Sequence, residues 1–354
     1  MTSDPSVADA LQASIRQAFQ ERVGLNIVGG NSKAFIGRKP AGQRLDVSQH
    51  KGIVNYEPTE LVITARGATR LGDLDRTLEA NGQMLAFEPP HFSTEATIAG
   101  TIACGLSGPR RPYAGAARDF MLGVKMINGK GEYLQFGGQV MKNVAGYDLS
   151  RLMVGAMGTL GVLLEVSLKV LPRPAMERTL VFEMNGEQAI RRMNELAATP
   201  APVNAAAFIE DRLYIRMSGT NVGVDAACRR LGGDSIDGAE LWLAVREQTH
   251  QSFAGDSPLW RLSLPSATPY GATEKPVVID WGGALRWVRS HLAPESMQER
   301  VSRLGGHAWP FRDGKQNANT FHPLPAPILN LHRRLKHAFD PNGILNPGRL
   351  YAEL

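Results

Sequence analysis

At 354 residues the chain can bury two domain cores, and its 43% hydrophobic and 21% charged residues are the balance of an ordinary globular protein. The net charge of +5 rests on scattered arginine pairs such as Arg110-Arg111, Arg229-Arg230 and Arg333-Arg334, and only 7% of residues are aromatic, which speaks against a nucleic-acid groove. Two remote cysteines, Cys104 and Cys228, exclude a disulfide framework, a cysteine-rich zinc site and a four-cysteine iron–sulfur cluster within the chain.

Val7, Leu11, Ile15 and Phe19 recur at helical spacing, with Ser6 and Asp9 as the expected capping pair. A short strand through Leu25, Ile27 and Val28 leads into Gly29-Gly30-Asn31-Ser32-Lys33. Consecutive glycines let the backbone take positive φ and approach a ligand closely; with Asn and Ser following, successive N–H groups can converge into a nest for a diphosphate. A hairpin turn is the alternative for the same residues. Asp46 and Val47 suggest a second strand, and Leu61-Val62-Ile63-Thr64-Ala65 a third, buried one. Leu71, Leu74 and Leu78 mark one face of a helix that stops at Asn81-Gly82. The opening reads as βαβ-like but lacks the G-x-G-x-x-G spacing, which counts against a nicotinamide enzyme.

In the second dense region Glu88-Pro89-Pro90 precedes a run of small residues and threonine from Ala96 to Gly105, then Ser107-Gly108-Pro109. Such a run brings backbone close to a neighbour, either a packed helix or a flat ligand that wants N–H donors. A hairpin is expected at residues 121–127 and 132–136 around Asn128-Gly129-Lys130-Gly131. The third dense region, Lys142 to Leu149 and Gly158-Thr159-Leu160-Gly161, leads to a strand with Leu164, Val166, Leu168 and Val170 on one face, ended by Pro172 and Pro174.

Beyond that boundary the pattern predicts strands near residues 180–183, 206–209, 213–217, 259–264, 277–281 and 307–311. Helices are expected near residues 189–196, through Ala227 and Leu231, and near 297–304. This is an α+β layer, a sheet with helices on one face. Trp281 to Trp287 suits either its core or a partner interface. Ile328, Leu331, Leu335 and Ala338 form a last helical stripe, broken by Asp340-Pro341-Asn342-Gly343.

The three dense regions and the tail together resemble the FAD-binding, PCMH-type flavoproteins, the family of the vanillyl-alcohol-oxidase fold. The resemblance lies in Val28-Gly29-Gly30-Asn31-Ser32, Ala96-Thr97-Ile98-Ala99-Gly100, Gly105-Leu106-Ser107-Gly108-Pro109, Gly158-Thr159-Leu160-Gly161-Val162 and Asp340-Pro341…Asn346-Pro347-Gly348. Within it, Gly52-Ile53-Val54-Asn55-Tyr56, Met141-Lys142-Asn143-Val144-Ala145-Gly146-Tyr147-Asp148 and Ile279-Asp280-Trp281-Gly282-Gly283 look like the small FAD-binding subunits of bacterial glycolate oxidases.

The resemblance implies an α+β fold in which residues 1–174 form a PCMH-type FAD-binding domain, residues 175–319 an inserted α+β cap, and residues 320–354 a return to the FAD domain. It places the pyrophosphate on the N–H groups of Val28, Gly29, Gly30, Asn31, Ser32 and Lys33, neutralised by Lys33 or Arg38. Thr97, Ile98, Gly100, Cys104, Gly105, Ser107 and Gly108 would line the isoalloxazine and ribityl chain, with Pro90 and Arg118 as further contacts. Gly161 and Val162 would close the adenosine side. No histidine lies between Gly24 and Gln49, so the expected FAD is non-covalent. Cys104 is expected to be a small packed side chain rather than a reactive thiol.

Oxidising a 2-hydroxy acid needs a base for the hydroxyl proton and a cation for the carboxylate. The paired histidines and acidic residue of hydroxy-acid-oxidising relatives are missing: His307 stands alone after Gly305-Gly306, His322 precedes a proline, and His332 and His337 are five apart on one helix. Arg118, Arg286 and Arg289 are candidate carboxylate holders, with ion pairing to neighbours as their plainer role. No catalytic residue and no metal ligand is assigned.

The implied function is a subunit of a complex that oxidises glycolate to glyoxylate, beside a larger FAD-binding subunit and an iron–sulfur subunit. The alternatives are an autonomous FAD-dependent oxidoreductase of another small hydroxy acid, or a structural subunit with a vestigial flavin site. With no signal-like start and no apolar run of ~20 residues, the expected compartment is the cytoplasm, with room for peripheral association at the inner face of the membrane through partners.

Overall fold

The N-terminal stripe becomes helix α1 (Pro5–Glu21), with Leu11 and Ile15 buried. The computed structural model describes residues 5–138, 148–314 and 320–354. Because α1 has already begun at Pro5, Ser6 and Asp9 lie inside it and are not its cap. Strands β1 (Leu25–Val28) and β2 (Gln43–Asp46) pair in parallel across the Gly29-Gly30 loop.

β3 (Ile53–Glu57) and β4 (Val62–Arg66) form an antiparallel hairpin; α2 (Leu71–Glu79), whose three leucines are fully buried, and the short β5 (Gln83–Met84) follow. The opening is therefore not a βαβ unit. β4 lies in a central sheet between antiparallel neighbours, whereas β5, two residues long, pairs elsewhere.

Next come α3 (Ile98–Cys104), α4 (Arg111–Ala114), β6 (Met121–Ile127), β7 (Tyr133–Gly137), α5 (Leu149–Leu152), β8 (Val162–Lys169) and β9 (Leu171–Pro172). The first sheet runs β3-β4-β8-β6-β7, and β5 pairs with β9. The motif stretch from Met141 to Tyr147 lies outside the described residues. A bulge disturbs β8: Lys125 opposes Glu165 but Met126 opposes Leu163, which leaves Leu164 as the extra residue. The expected alternation breaks there. Leu164 packs under α1, while Leu163 joins Val166 and Leu168 in the main core.

The second sheet is built by β10 (Met176–Glu183), α6 (Gly186–Ala197), β11 (Val203–Ile209), β12 (Arg212–Gly219), α7 (Asn221–Leu231), β13 (Asp234–Ile236) and α8 (Ala239–Glu247). It is completed by β14 (Leu259–Ser263), β15 (Val278–Asp280), β16 (Leu285–Arg289), α9 (Pro294–Arg303) and β17 (His307–Arg312). Strand order is β13-β10-β12-β11-β15-β16-β14-β17, with antiparallel pairing throughout. Helices α6 and α7 pack on one face through Ile190, Met193, Val224 and Ala227. The other face presents Trp281, Trp287, Trp309 and Phe311 to Ile36, Leu106 and Met157 of the first half. The tryptophan stretch is thus core, shared between the two halves.

Helix α10 (Ala326–Phe339) departs from expectation. Its apolar stripe faces outward, with Ile328 44% and Leu331 48% exposed, and the helix buries Lys336 and Phe339 instead. The Lys336 ammonium donates to the Thr159 carbonyl at 2.9 Å, the Leu345 carbonyl at 2.8 Å and the Asp340 carboxylate at 2.7 Å, so a buried cation is fully satisfied. The other Asp340 contacts, from the N–H groups of Ile344 and Leu345, turn the tail back toward β1. There Leu25 N–H donates to Ile344, Asn346 N–H to Leu25, and Leu345 forms a single parallel bridge to Leu25. No helix among the described residues is long and apolar enough to cross a membrane.

Candidate functional site

A cavity of about 520 Å³ opens between the Gly29-Gly30 loop, the outer face of α3 and the returning tail. Volumes of this order hold ligands of cofactor size. Beyond β1 the chain turns sharply: Ala34 N–H donates to the Asn31 carbonyl and Ile36 N–H to that of Lys33, while Asn31 sits at a φ of 56°. The backbone N–H groups of Gly29 to Lys33 find no acceptor among the described residues. Five adjacent orphan donors at a cavity wall are a nest for an anion. A side chain at Gly30 would overlap the Glu95 carbonyl, so only glycine lets the loop lie this close to the turn that leads into α3.

The small-residue run proves to have two faces. Thr97 caps α3 by accepting from Gly100 N–H at 3.3 Å, and Gly105 ends it with a φ of 64°. Ile98, Thr101 and Ile102 point into the main core, while Ala99, Gly100, Ala103 and Cys104 line the cavity. The packed-helix reading of this run holds, and the face it leaves unpacked lines the cavity. The bulge in β8 re-aims Leu163 beside Gly161 and Val162 on the opposite wall.

The charge on this wall has one sign. Among the described residues Lys33, Lys39, Arg44 and Arg349 line the cavity and no carboxylate does. Arg44 is paired with Asp46 at 2.8 Å. Lys33 is 6% exposed, and its ammonium donates to the His91 carbonyl at 3.3 Å and the Ser32 hydroxyl at 3.4 Å, beneath the ring of Phe92. Burial pulls its pKa down, with Cys104 and Glu247 opposing that shift. A buried ammonium with such long contacts gains from a dianion. Burial raises the Cys104 thiol pKa against the pull of Lys33 and Arg349, which keeps it protonated and unreactive.

Val28, Gly29, Gly30, Asn31, Ser32, Lys33, Thr97, Gly100, Cys104, Gly161 and Val162 meet at this cavity. Six other expected residues do not line it. Ile98 is fully buried in the core, because helical spacing turns it from Ala99 and Ala103. Gly105 serves as the helix C-cap, and the Arg118 side chain is exposed. Pro90, Ser107 and Gly108 line a second, small cavity of about 30 Å³ against the second sheet. Arg38, the alternative counter-charge, donates to the Gly348 carbonyl at 3.0 Å and fastens the tail.

Sequence reading missed Phe35, Met157, Asn346 and Arg349 at the large cavity. Asn346 accepts from Ile27 N–H at 2.8 Å and donates to the Met157 carbonyl at 2.7 Å, and Arg349 donates to the carbonyl of Arg38 at 2.8 Å. The tail motif signalled this region without naming its side chains. Met157 and Asn346 have φ of 50° and 43°, backbone strain of the kind found at ligand clamps.

The halves are also joined by charge. Glu88, at a φ of 46°, pairs with Arg110 at 3.1 Å and Arg216 at 2.8 Å, and Glu177 with Arg110 at 2.6 Å. Asn204 donates to Glu177 and accepts from Arg216, both at 2.7 Å. Arg286 and Arg289 are occupied by backbone carbonyls, of Pro269 and Thr268 and of Phe253 and Ser257 respectively. His322 donates or accepts at Ser302 and receives Ala308 N–H, a structural role.

Orphan N–H donors, four cations, no acid among the described lining residues and a glycine-thin wall fit a dinucleotide diphosphate with its flat ring. Known proteins agree. The family model for the FAD binding domain matches residues 4–137, and that for the C-terminal domain of FAD linked oxidases matches residues 325–350. Glycolate oxidase subunit GlcE of Escherichia coli (strain K12) is 48% identical over 355 residues, covering 100% of each chain. Glycolate oxidase subunit GlcD of Bacillus subtilis (strain 168) is 34% identical over 131 residues, 36% of this chain and 27% of that protein. The crystal structure of p-cresol methylhydroxylase with substrate bound shares the fold, at a TM-score of 0.74 and 13% identity over 98% of this chain and 87% of that one. The chain belongs to the FAD-binding, PCMH-type family of FAD-dependent oxidoreductases, among the relatives of glycolate oxidase subunit GlcE.

Proposed function

We propose that this chain holds FAD non-covalently in the large cavity and works as one subunit of an assembly that oxidises glycolate to glyoxylate. The observation that carries the cofactor reading is the row of orphan N–H groups from Gly29 to Lys33 facing cations without a carboxylate. The full-length similarity to a glycolate oxidase subunit supports the assembly, and the partial similarity to a second, differently named subunit supports more than one flavin-type partner. Electrons leave through an iron–sulfur subunit or a quinone-type acceptor. In this reading residues 1–174 and 320–354 hold the flavin and residues 175–319 cover it, in the cytoplasm or at the inner face of the membrane.

Bound FAD supplies a two-electron acceptor. The chain's own residues bind and orient it: the nest and Lys33 take the diphosphate, the small face of α3 leaves room for the ring, and Asn346 and Arg349 close the site. The aromatic group Phe35, Phe92 and Phe311, with ring centroids 5.4 to 6.1 Å apart, excludes water on the side of the second sheet. Among the described residues the lining holds no histidine, and burial raises the pKa of its one cysteine, which supports non-covalent binding.

The test is the visible spectrum of the purified chain before and after acid precipitation. Yellow chromophore in the supernatant is expected; colour retained in the pellet sinks the non-covalent reading, and no flavin absorbance even after FAD addition sinks the cofactor reading. Reconstitution with the partner subunits should then restore bleaching by glycolate.

A further inference from the structure

Helix α8 ends on a carboxylate, Glu247, where the helix dipole disfavours negative charge. Its partners lie across the interface between the halves. The side chain is 15% exposed and accepts from His91 N–H at 3.0 Å, from Phe92 N–H at 2.7 Å and from the neighbouring Arg246 at 2.8 Å. Phe92 sits at a φ of 60°, which a bulky residue adopts only where its surroundings hold it.

The same loop supports Lys33. The His91 carbonyl accepts from the Lys33 ammonium at 3.3 Å, and the centroid of the Phe92 ring is 5.7 Å from that ammonium. The His91 carbonyl and the Phe92 N–H belong to one trans peptide group, so its two ends point in opposite directions. One end donates to the Glu247 carboxylate and the other accepts from the Lys33 ammonium. Each bond polarises the next in such a chain, which makes this an ion pair relayed by a peptide. The loop is fixed further by Phe35, 5.4 Å from Phe92, and by the Arg312 guanidinium, which stacks over both rings and donates to Gln248 at 2.9 Å.

We propose that Glu247 is a positioning residue of the flavin site: through the His91–Phe92 peptide it holds the Lys33 ammonium for the cofactor's diphosphate. The second half of the molecule thereby sets how tightly the first half binds FAD. The proposal rests on the flavin reading of the large cavity.

The charge on Lys33 responds to the same partner. Burial lowers its pKa, and Cys104 of α3 and Glu247 of α8 oppose that shift. Burial raises the Cys104 pKa, which leaves Glu247 as the standing negative charge. The other charged groups nearby are Arg349 of the tail, which donates to the Lys33 carbonyl at 3.3 Å, Arg312, Arg246, and the His91 ring at 3.2 Å from Asp75. Lys39 and Arg44 line the same cavity. A lysine is charged below its pKa and neutral above it, so FAD affinity should fall as pH rises through that value. Removing the Glu247 charge should move the fall to lower pH.

The experiment is fluorescence titration of the full-length chain, freed of flavin, with FAD between about pH 6 and 9.5. Glu247→Gln keeps the shape and an acceptor oxygen; it should weaken FAD by about tenfold and bring the alkaline fall to lower pH. Glu247→Asp keeps the charge and should restore the wild-type pH profile. In Lys33→Met the fall should vanish, and adding Glu247→Gln should change affinity by less than about twofold. A carboxylate that merely staples the halves would weaken FAD equally in both backgrounds and leave the fall in place. That result, or Glu247→Gln binding like wild type, overturns the proposal. A wild-type affinity level across the pH range overturns it even where a variant does not fold. Wild type that binds no FAD at any pH counts against the cofactor reading, whereas binding without coupling between residues 33 and 247 counts against this proposal alone.

Discussion

Lys33 shows how one side chain links the Gly29-Gly30 loop to the rest of the cavity. Its ammonium is buried yet makes only long contacts, to Ser32 and the His91 carbonyl, and the loop that carries His91 is itself clamped by Glu247, which accepts from Phe92 N–H at 2.7 Å. A cation kept in this state is poised for a diphosphate. Lys33→Met, which keeps length and removes charge, should weaken FAD binding by about tenfold or more, read by fluorescence titration. The melting temperature of the flavin-free protein should stay level or rise, because burying the ammonium is itself costly. Unchanged affinity would place the diphosphate elsewhere.

At the scale of elements, α3 and the bulge of β8 decide the shape of the cavity. α3 has bulk on one side only, so the same seven residues seal the core and leave a hollow. Ala103→Leu keeps helix propensity but fills that hollow from a half-buried position. The expected outcome is a folded protein with far less bound flavin, measured as the ratio of visible to ultraviolet absorbance after purification; full flavin content would contradict the placement of the ring along this face. The hydrophobic spacing of α2 and the Gly-rich turn were legible because neighbours in sequence are neighbours in space. The bulge was not, because it depends on how β6 and β8 pair across an intervening stretch of chain. Helix α8 escaped notice because only Trp242 and Val245 are buried in it.

At the scale of the molecule, the two sheets are joined by an aromatic core and by the buried cluster around Glu88. Burial alone would raise the Glu88 pKa, but Arg216 and Arg110 outweigh it and hold the carboxyl below its ordinary value. A depressed carboxylate contributes stability above its unfolded pKa of about 4.5 and loses it as pH falls through the lower folded value. Glu88→Gln should cost about 3 kcal/mol at neutral pH by leaving the buried Arg110 and Arg216 with the Glu177 carboxylate alone, and should flatten the loss of stability in acid. Denaturant unfolding at neutral and acid pH reads both effects; an equally steep acid loss in the variant would assign that loss to other carboxylates.

The exposed stripe of α10 belongs to this scale too. Its spacing suggested a buried face, but the partners that decide burial, Thr159 and Leu345, select Lys336 instead. The sequence by itself determined the Gly29-Gly30 turn, the small-residue run, the absence of a nicotinamide spacing and the order of most elements, because backbone freedom and hydrophobic period are properties of consecutive residues. Only the tertiary structure decided that Asn346 reaches Ile27 across 319 residues and that Ile98 turns away from the cavity. It also brought Arg261 and Asp280 to one small pocket. Those facts follow from sheet register and chain return, which bring together residues whose separation in sequence carries no periodic signal.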